Sequence, residues 1–162
     1  MSMHQLDFKR LRRQFAKSAQ TYPAGAVINQ EIGARLIEHI NHLQLSPKRI
    51  LGIGCGTGNN AFEVTAAFPG AQIIGIDYSL SMLQKAISNH HVHHFINAQG
   101  TALPIANQSI DMVFINMTML WIEDLDTLFE EVKRVLIPGG IFLFATLGSG
   151  TLFELKESWQ AV

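Results

Sequence analysis

The sequence holds a single cysteine, Cys55, in 162 residues, so no disulfide can form within the chain and a reducing, cytoplasmic compartment is the expectation. It also lacks a long apolar run. Ala86 to Ile110 has no Asp, Glu, Lys or Arg, but four histidines and several amides make it too polar for a bilayer. Val135 to Phe153 is more apolar, and Pro138-Gly139-Gly140 and Gly148-Ser149-Gly150 cut it to strand length. No apolar core follows the basic start, so an export signal is not expected. Charged residues are only 15% of the chain and the net charge is -1, which excludes a polycation of the nucleic-acid-binding type. With 48% hydrophobic residues, disorder and coiled coil are excluded and one globular domain is expected.

The charge that is present is unevenly placed. Residues 1–50 carry +5 and the remainder -6. Lys9, Arg10, Arg12, Arg13 and Lys17 form one basic cluster. It reads either as a solvated helix face or as a docking face for an acidic partner, because clustered cations steer anions. Asp7 argues against a mitochondrial-type presequence.

Leu11, Phe15 and Ala19 recur every four residues, with Tyr22 three further on, which predicts a short helix interrupted by Pro23 and Gly25. Ile28, Ile32, Leu36, Ile40 and Leu43 predict a second helix running to about Leu45, closed by Ser46-Pro47. Strand and helix then alternate. Strands are expected at 49–53, 72–76 (ending in Asp77), 93–97, 110–116 and 141–146. Helices are expected over 59–68, after the N-cap Ser79 with Met82, Leu83 and Ala86 inward, and from Asp124 with Leu125, Leu128, Phe129, Val132 and Leu136 inward. Ile137-Pro138-Gly139-Gly140 should stop the last of these, and Thr151 with Glu154 has the spacing of a capping box. Such alternation means a parallel sheet covered on both faces. Helices over 1–45 would cover the site and 46–162 would form the α/β core, one domain in total. The strand at 141–146 has nothing predicted to cover its edge, so either a longer architecture or a partner, a homodimer included, is expected there.

The chemistry concentrates in Ile50-Leu51-Gly52-Ile53-Gly54-Cys55-Gly56-Thr57-Gly58. Glycines at a strand-to-helix turn let backbone approach a ligand, and the following helix offers free amides. The G-x-G-x-x-G of dinucleotide folds is absent, since its two frames meet Thr57 and Asn59, and no G-K-[ST] follows, which excludes a nucleoside-triphosphate P-loop. Asp77, at the end of the next strand, can accept both hydroxyls of a ribose.

This Gly-Cys-Gly-Thr-Gly loop, with Gly75-Ile76-Asp77-Tyr78-Ser79, Ser81-Met82-Leu83, Ala102-Leu103-Pro104 and Leu136-Ile137-Pro138-Gly139-Gly140, resembles the class I S-adenosylmethionine-dependent methyltransferases over 49–146. The opening Phe15-x-x-Ser18-Ala19-x-x-Tyr22-x-x-x-Ala26-x-x-x-Gln30 and the stretch from Thr146 through Glu154-Leu155 to Trp159-Gln160-Ala161-Val162 are similar to the biotin-synthesis malonyl-acyl carrier protein O-methyltransferases, the BioC family. The resemblance implies a Rossmann-like fold, a mostly parallel sheet with helices on both faces and its last strands missing. It implies S-adenosylmethionine as cofactor and, as partner, an acyl carrier protein bearing a malonyl thioester whose free carboxylate is methylated. Gly54, Gly56 and Gly58 would cradle the methionine end, Asp77 would hold the ribose, and Tyr78 and Met82 would lie near the adenine. Tyr22 would close over the cofactor, and Asn116 would sit beside the sulfonium with Trp121 nearby; these two are the catalytic candidates. No nucleic acid, membrane or metal enters.

Two positions depart from the family. Gly52 stands where the family carries an acid that faces the cofactor's amino end. Gln99 stands where an Asp accepts from the adenine amine, and an amide accepts more weakly than a carboxylate. The family also continues well past Val162, with the last strands and a basic residue for the malonyl carboxylate. A non-catalytic remnant and a methyltransferase for another small acceptor are therefore the alternative readings.

Other features have plainer readings. His90-His91-Val92-His93-His94 has no nearby acid or cysteine to complete a zinc set and reads as a polar loop entering a strand. Cys55 reads as a small packed residue, and Met112, Met117 and Met119 as core filler. Glu123, Asp124 and Asp126 suit a helix N-terminus, and Glu130 and Glu131 a solvated face.

Overall fold

The structure, a computed structural model, describes residues 7–40, 43–88 and 91–160. Three helices, α1 (Phe8–Ser18), α2 (Tyr22–Gly25) and α3 (Val27–Glu38), precede the alternating part. There follow β1 (Arg49–Ile53), α4 (Ala61–Ala67), β2 (Gln72–Asp77), α5 (Leu80–Ala86), β3 (His94–Asn97) and β4 (Ile110–Asn116). A 3-10 turn (Met119–Trp121), α6 (Leu125–Val135), β5 (Leu136–Ala145) and α7 (Phe153–Gln160) complete the chain. The five strands form one sheet in the order β3-β2-β1-β4-β5. Every pairing is parallel, so the sheet is wholly rather than mostly parallel.

Two apolar layers sandwich it, and the alternation along each strand decides which layer a side chain joins. Leu51 and Ile53 of β1, with Val113 and Ile115 of β4, pack under Leu128, Val132 and Val135 of α6. Ile50 of β1 and Met112 and Phe114 of β4 face the other way, against Ile37 of α3 and Ala61 and Val64 of α4. Burial of each such Ile, Leu or Val contributes about 1.5–3 kcal/mol, which makes β1 and β4 the core of the fold. No described helix is long and apolar enough to cross a membrane.

Several local expectations are corrected. α3 ends at Glu38, not near Leu45 (residues 41–42 lie outside the described set), and it buries Gly33 and Ile37 while Ile28 is 73% exposed. Toward α4 the helix presents Gly33 and Ile37, with Leu36 and Ile40 partly buried on the same cluster, while Ile28 is turned out. α4 starts at Ala61 because 56–60 stay in turns. β3 starts at His94. β5 starts at Leu136, which pairs with Ile110 before a register shift, so Pro138-Gly139-Gly140 makes an irregularity within the strand instead of a connection. Phe129 is 40% exposed and meets Phe142 edge-on, with Phe142 stacked on Phe144, instead of entering the core. α7 begins at Phe153, so Thr151 and Glu154 do not occupy the N-cap and N3 positions. Ser79 stands at the N-cap of α5 without a side-chain capping bond, and its buried hydroxyl has no partner. The strand at the uncovered end, β5, is an edge strand as expected.

Candidate functional site

Strand order reverses at β1, whose neighbours are β2 on one side and β4 on the other. In open parallel sheets ligands bind at the carboxyl ends of strands beside such a switch point. The glycine loop leaves β1 there. Gly54, Gly56 and Gly58 all have positive φ, at 70°, 55° and 79°. The amides of Gly54 and Cys55 both donate to the Ile76 carbonyl, at 2.8 and 3.0 Å, and the Gly58 amide donates to Cys55 O at 2.9 Å. A Cβ on Gly54 would collide with the Thr118 side chain, so the loop and the exit from β4 touch only because residue 54 has none.

Asp77 ties this loop to β2. Its Oδ2 accepts the Gly56 amide at 2.9 Å and its Oδ1 accepts the Ser79 amide at 2.8 Å. The residue is buried, and burial pushes the carboxyl above its ordinary value while the Ser79 and Gly56 amides pull it back. A carboxylate has about four acceptor positions, so these two bonds leave capacity for two hydroxyls. The Asn97 side chain donates to Asp77 O at 2.8 Å and fixes the strand end.

One cleft of about 80 Å³ is lined by Gly54, Gly56, Asp77, Tyr78, Met82, Asn116 and Tyr22, together with Phe15 and Trp121. Phe15 of α1 meets Tyr78 edge-on at 6.2 Å and Trp121 at 5.5 Å, and so bridges the ends of β2 and β4. The Tyr78 hydroxyl is buried without a partner, and its pKa is pushed up to about 12, first by burial, then by the Asp77 charge, with Arg12 acting in the opposite sense. On one side the cleft shares Asp77, Tyr78, Thr118 and Trp121 with a larger cavity of about 250 Å³, where Gln99, Gly100 and Thr101 form the wall. On the other side it shares Tyr22, Asn29 and Asn116 with a cavity of about 80 Å³ beneath Gly52. A Cβ on Gly52 would meet nothing closer than Cys55 Cβ and Ile74 O at 3.9 Å.

The sequence-expected residues therefore share the cleft and its two flanking cavities, with Gly58 set back as a buried part of the loop's own turn. Asn116 sits at the end of β4, with Nδ2 donating to Asn29 O at 2.6 Å and to Asn60 Oδ1 at 2.9 Å. Tyr22 accepts from Asn29 Nδ2 at 3.1 Å. Sequence reasoning missed Phe15, Thr118, Asn29 and Asn60 as site residues. Phe15 carried a signal, as part of the apolar stripe of α1; Asn60 carried none, because its partners are distant in the chain.

The remaining candidates take structural places. Cys55 faces Gly75, and burial, with the Asp77 charge second, pushes its thiol far up, which suits packing and not nucleophilic attack. His93 Nδ1 lies 3.0 Å from the Ile73 amide, His94 Nε2 lies 2.9 Å from Gln72 Nε2, and His91 meets Phe62 edge-on; His90 lies outside the described residues. No group of three or more metal-type ligands occurs among the described residues. Glu131 is not simply solvated: it holds Arg134 through both oxygens, at 2.6 and 2.8 Å, and accepts the Leu103 amide at 2.6 Å. Arg134 also reaches Leu103 O, Ile105 O and Asn107, pinning the loop that carries Gln99 to α6.

The glycine cradle, the buried carboxylate with acceptor capacity and the aromatic frame fit a ligand with a hydroxylated sugar and a flat ring. The family pattern described as a methyltransferase domain matches residues 51–144. A malonyl-[acyl-carrier protein] O-methyltransferase from Methylovorus sp. (strain MP688) is 36% identical over 94% of this chain and 55% of its own length. The biotin biosynthesis bifunctional protein BioHC of Cellvibrio japonicus is 37% identical over 97% of this chain and 31% of its own. The chain thus spans about half the length of the malonyl-[acyl-carrier protein] O-methyltransferases it matches. Among solved structures, the complex of the Haloferax volcanii Trm112 methyltransferase activator with a methyltransferase superposes with a TM-score of 0.70 at 22% identity, covering 82% of this chain and 59% of that one. Phosphoethanolamine N-methyltransferase 2 of Haemonchus contortus gives 0.64 at 28%, covering 78% and 32%.

Proposed function

The chain belongs to the class I S-adenosylmethionine-dependent methyltransferases, and from that premise we propose that it takes part in O-methylation of the free carboxylate of a malonyl thioester on an acyl carrier protein. The observation that carries the reading is that the glycine loop, the Asp77 carboxylate and the Asn116 amide line one cleft. The acceptor class comes from the names of the relatives.

When bound, S-adenosylmethionine supplies a methyl group made electrophilic by its sulfonium. The protein's work is binding and exclusion. Asp77 would accept the ribose hydroxyls, and the backbone of Gly54 and Gly56 gives the close approach that side chains would block, with Gly58 closing the turn behind them. Tyr78 and Met82 would hold the ring, with Gln99 on the wall of the adjoining cavity supplying an acceptor for its polar edge. Tyr22 and Asn116 close the end where the acceptor enters, and Phe15 roofs it over and keeps water out. A carboxylate is ionised at neutral pH, so no general base is needed.

The exposed cations Arg10, Arg12, Arg13 and Lys17 lie on α1, the helix that provides Phe15. They would dock the acidic carrier beside the entrance. Charge-reversal of Arg12 and Arg13 to Glu should weaken carrier binding with a steep salt dependence, and unchanged binding would remove the docking role.

A second reading, a cofactor-binding remnant without transfer activity, draws on the uncharged cavity beneath Gly52. Mass spectrometry of malonyl-carrier protein incubated with the chain and S-adenosylmethionine separates the two. A single added methyl on the malonyl group supports transfer. Methylation only of other acceptors in a panel would move the acceptor class, and no product despite cofactor binding would favour the remnant.

A further inference from the structure

Asn60 stands at the N-cap of α4, where an asparagine ordinarily turns back to bond its own helix's amides. It makes no such bond. Its amide spans two other elements instead: Nδ2 donates to Gln30 O of α3 at 3.2 Å, and Oδ1 accepts from Asn116 Nδ2 of β4 at 2.9 Å. Gly33 makes the room, since a Cβ there would collide with the Asn60 amide.

The polarity of this chain of bonds is set from α3. A backbone carbonyl can only accept. Gln30 O therefore holds the NH₂ end of Asn60 and turns its oxygen to Asn116. Asn29 O does the same to Asn116, accepting from its Nδ2 at 2.6 Å. With both acceptors on Nδ2, the Asn116 oxygen has no choice of side. It is buried and has no partner. Buried acceptors are rarely left so, and each one asks for a donor. Asn116 lines the cavity beneath Gly52, and none of the residues lining that cavity is charged.

We infer that Asn60 is a positioning residue that fixes the polarity of the Asn116 amide, so that the site offers a neutral oxygen acceptor to the α-ammonium at the methionine end of the cofactor. The inference rests on the cofactor reading above and adds a residue and a ligand group to it.

Calorimetric titration of the full chain with S-adenosylhomocysteine and with its analogue lacking the α-amine tests it without turnover. The unsubstituted chain should prefer the amine-bearing ligand by about tenfold or more, the ordinary worth of a hydrogen bond to a charged group. Asn60→Leu, which keeps the branched side-chain skeleton without polar atoms, should reduce that preference to about twofold or less while the analogue binds as before. Asn116→Leu should reduce the preference likewise, and the double variant should lose no more of it than either single one. If Asn60→Leu fails to fold, Asn60→Ser carries the same expectation. Equal weakening of both ligands, with the preference kept, would mean a merely structural Asn60 and would overturn the inference. Equal binding of both ligands by the unsubstituted chain would overturn it while leaving the cofactor reading standing; binding of neither would remove both.

Discussion

Asp77 Oδ2 accepts the Gly56 amide at 2.9 Å, so the carboxylate that faces the cleft also holds the glycine loop in shape. Its other oxygen accepts the Ser79 amide at 2.8 Å and so sets the start of α5, where the serine hydroxyl does no capping. One buried acid thus orders both loops that border the cleft.

Asp77→Asn should weaken S-adenosylhomocysteine binding by about tenfold or more, because charged acceptors are lost and an amide NH₂ faces a backbone donor. The pH dependence follows from burial, the larger cause, which raises the Asp77 pKa. The ionised form would accept the hydroxyls, so affinity should be full at neutral pH and fall as pH drops through a value raised above the group's ordinary one. Folding responds in the opposite sense at this residue: the cost of the buried charge is present above the raised pKa and is relieved by acid. Titrations across acidic pH should show this limb in the unsubstituted chain and not in Asp77→Asn; the same limb in both would contradict the assignment.

Gly54→Ala and Gly70→Ala separate backbone strain from collision. Both residues have positive φ, 70° and 85°, but a Cβ on Gly70 meets nothing within 4 Å while one on Gly54 strikes Thr118. Urea denaturation should show Gly70→Ala costing about 1–2 kcal/mol with cofactor affinity unchanged. Gly54→Ala should cost more and should abolish tight binding. Similar losses in the two variants would mean that the Thr118 contact yields freely.

Gly52→Asp has room, since its Cβ would stand 3.9 Å from its nearest neighbours. The new carboxylate enters an uncharged cavity, so the ligand-free variant should melt lower. A ligand ammonium should then bind it about tenfold more tightly, and S-adenosylhomocysteine should raise its melting temperature more than that of the unsubstituted chain. Unchanged or weaker affinity would place the amino end of the ligand elsewhere.

Glu131→Ala should destabilise the fold by about 2 kcal/mol, because it removes the carboxylate bonds of Arg134 and leaves the Leu103 amide unpaired. The Arg134 guanidinium, first among the causes, holds the Glu131 carboxyl below its ordinary value. Its contribution is therefore complete above that ordinary value and fades as pH falls through the lowered one. The difference in urea midpoint between the two proteins should shrink in acid; a difference independent of pH would contradict the pairing.

The strands β1 and β4 were legible to the residue, because parallel strands buried on both faces read as short apolar runs, and the glycine loop and Asp77 followed from their spacing along them. What escaped depends on contacts between distant elements. Ile28 fits a helical stripe but points outward, because α3 turns Gly33 toward Asn60 instead. Pro138-Gly139-Gly140 reads locally as a stop, yet pairing of Leu136 with Ile110 carries the strand through it. Glu131 looked like part of a solvated face until α6 placed it under the loop at Leu103. Asn60 sits 30 residues from Gln30 and 56 from Asn116, and no local pattern links them.

The most direct test of the account is calorimetric titration of the chain with S-adenosylmethionine and S-adenosylhomocysteine. The account predicts saturable binding at one site in the micromolar range, about -8 kcal/mol, for both ligands. Absence of binding at millimolar ligand would contradict it and would leave a methyltransferase fold whose cleft no longer holds the cofactor.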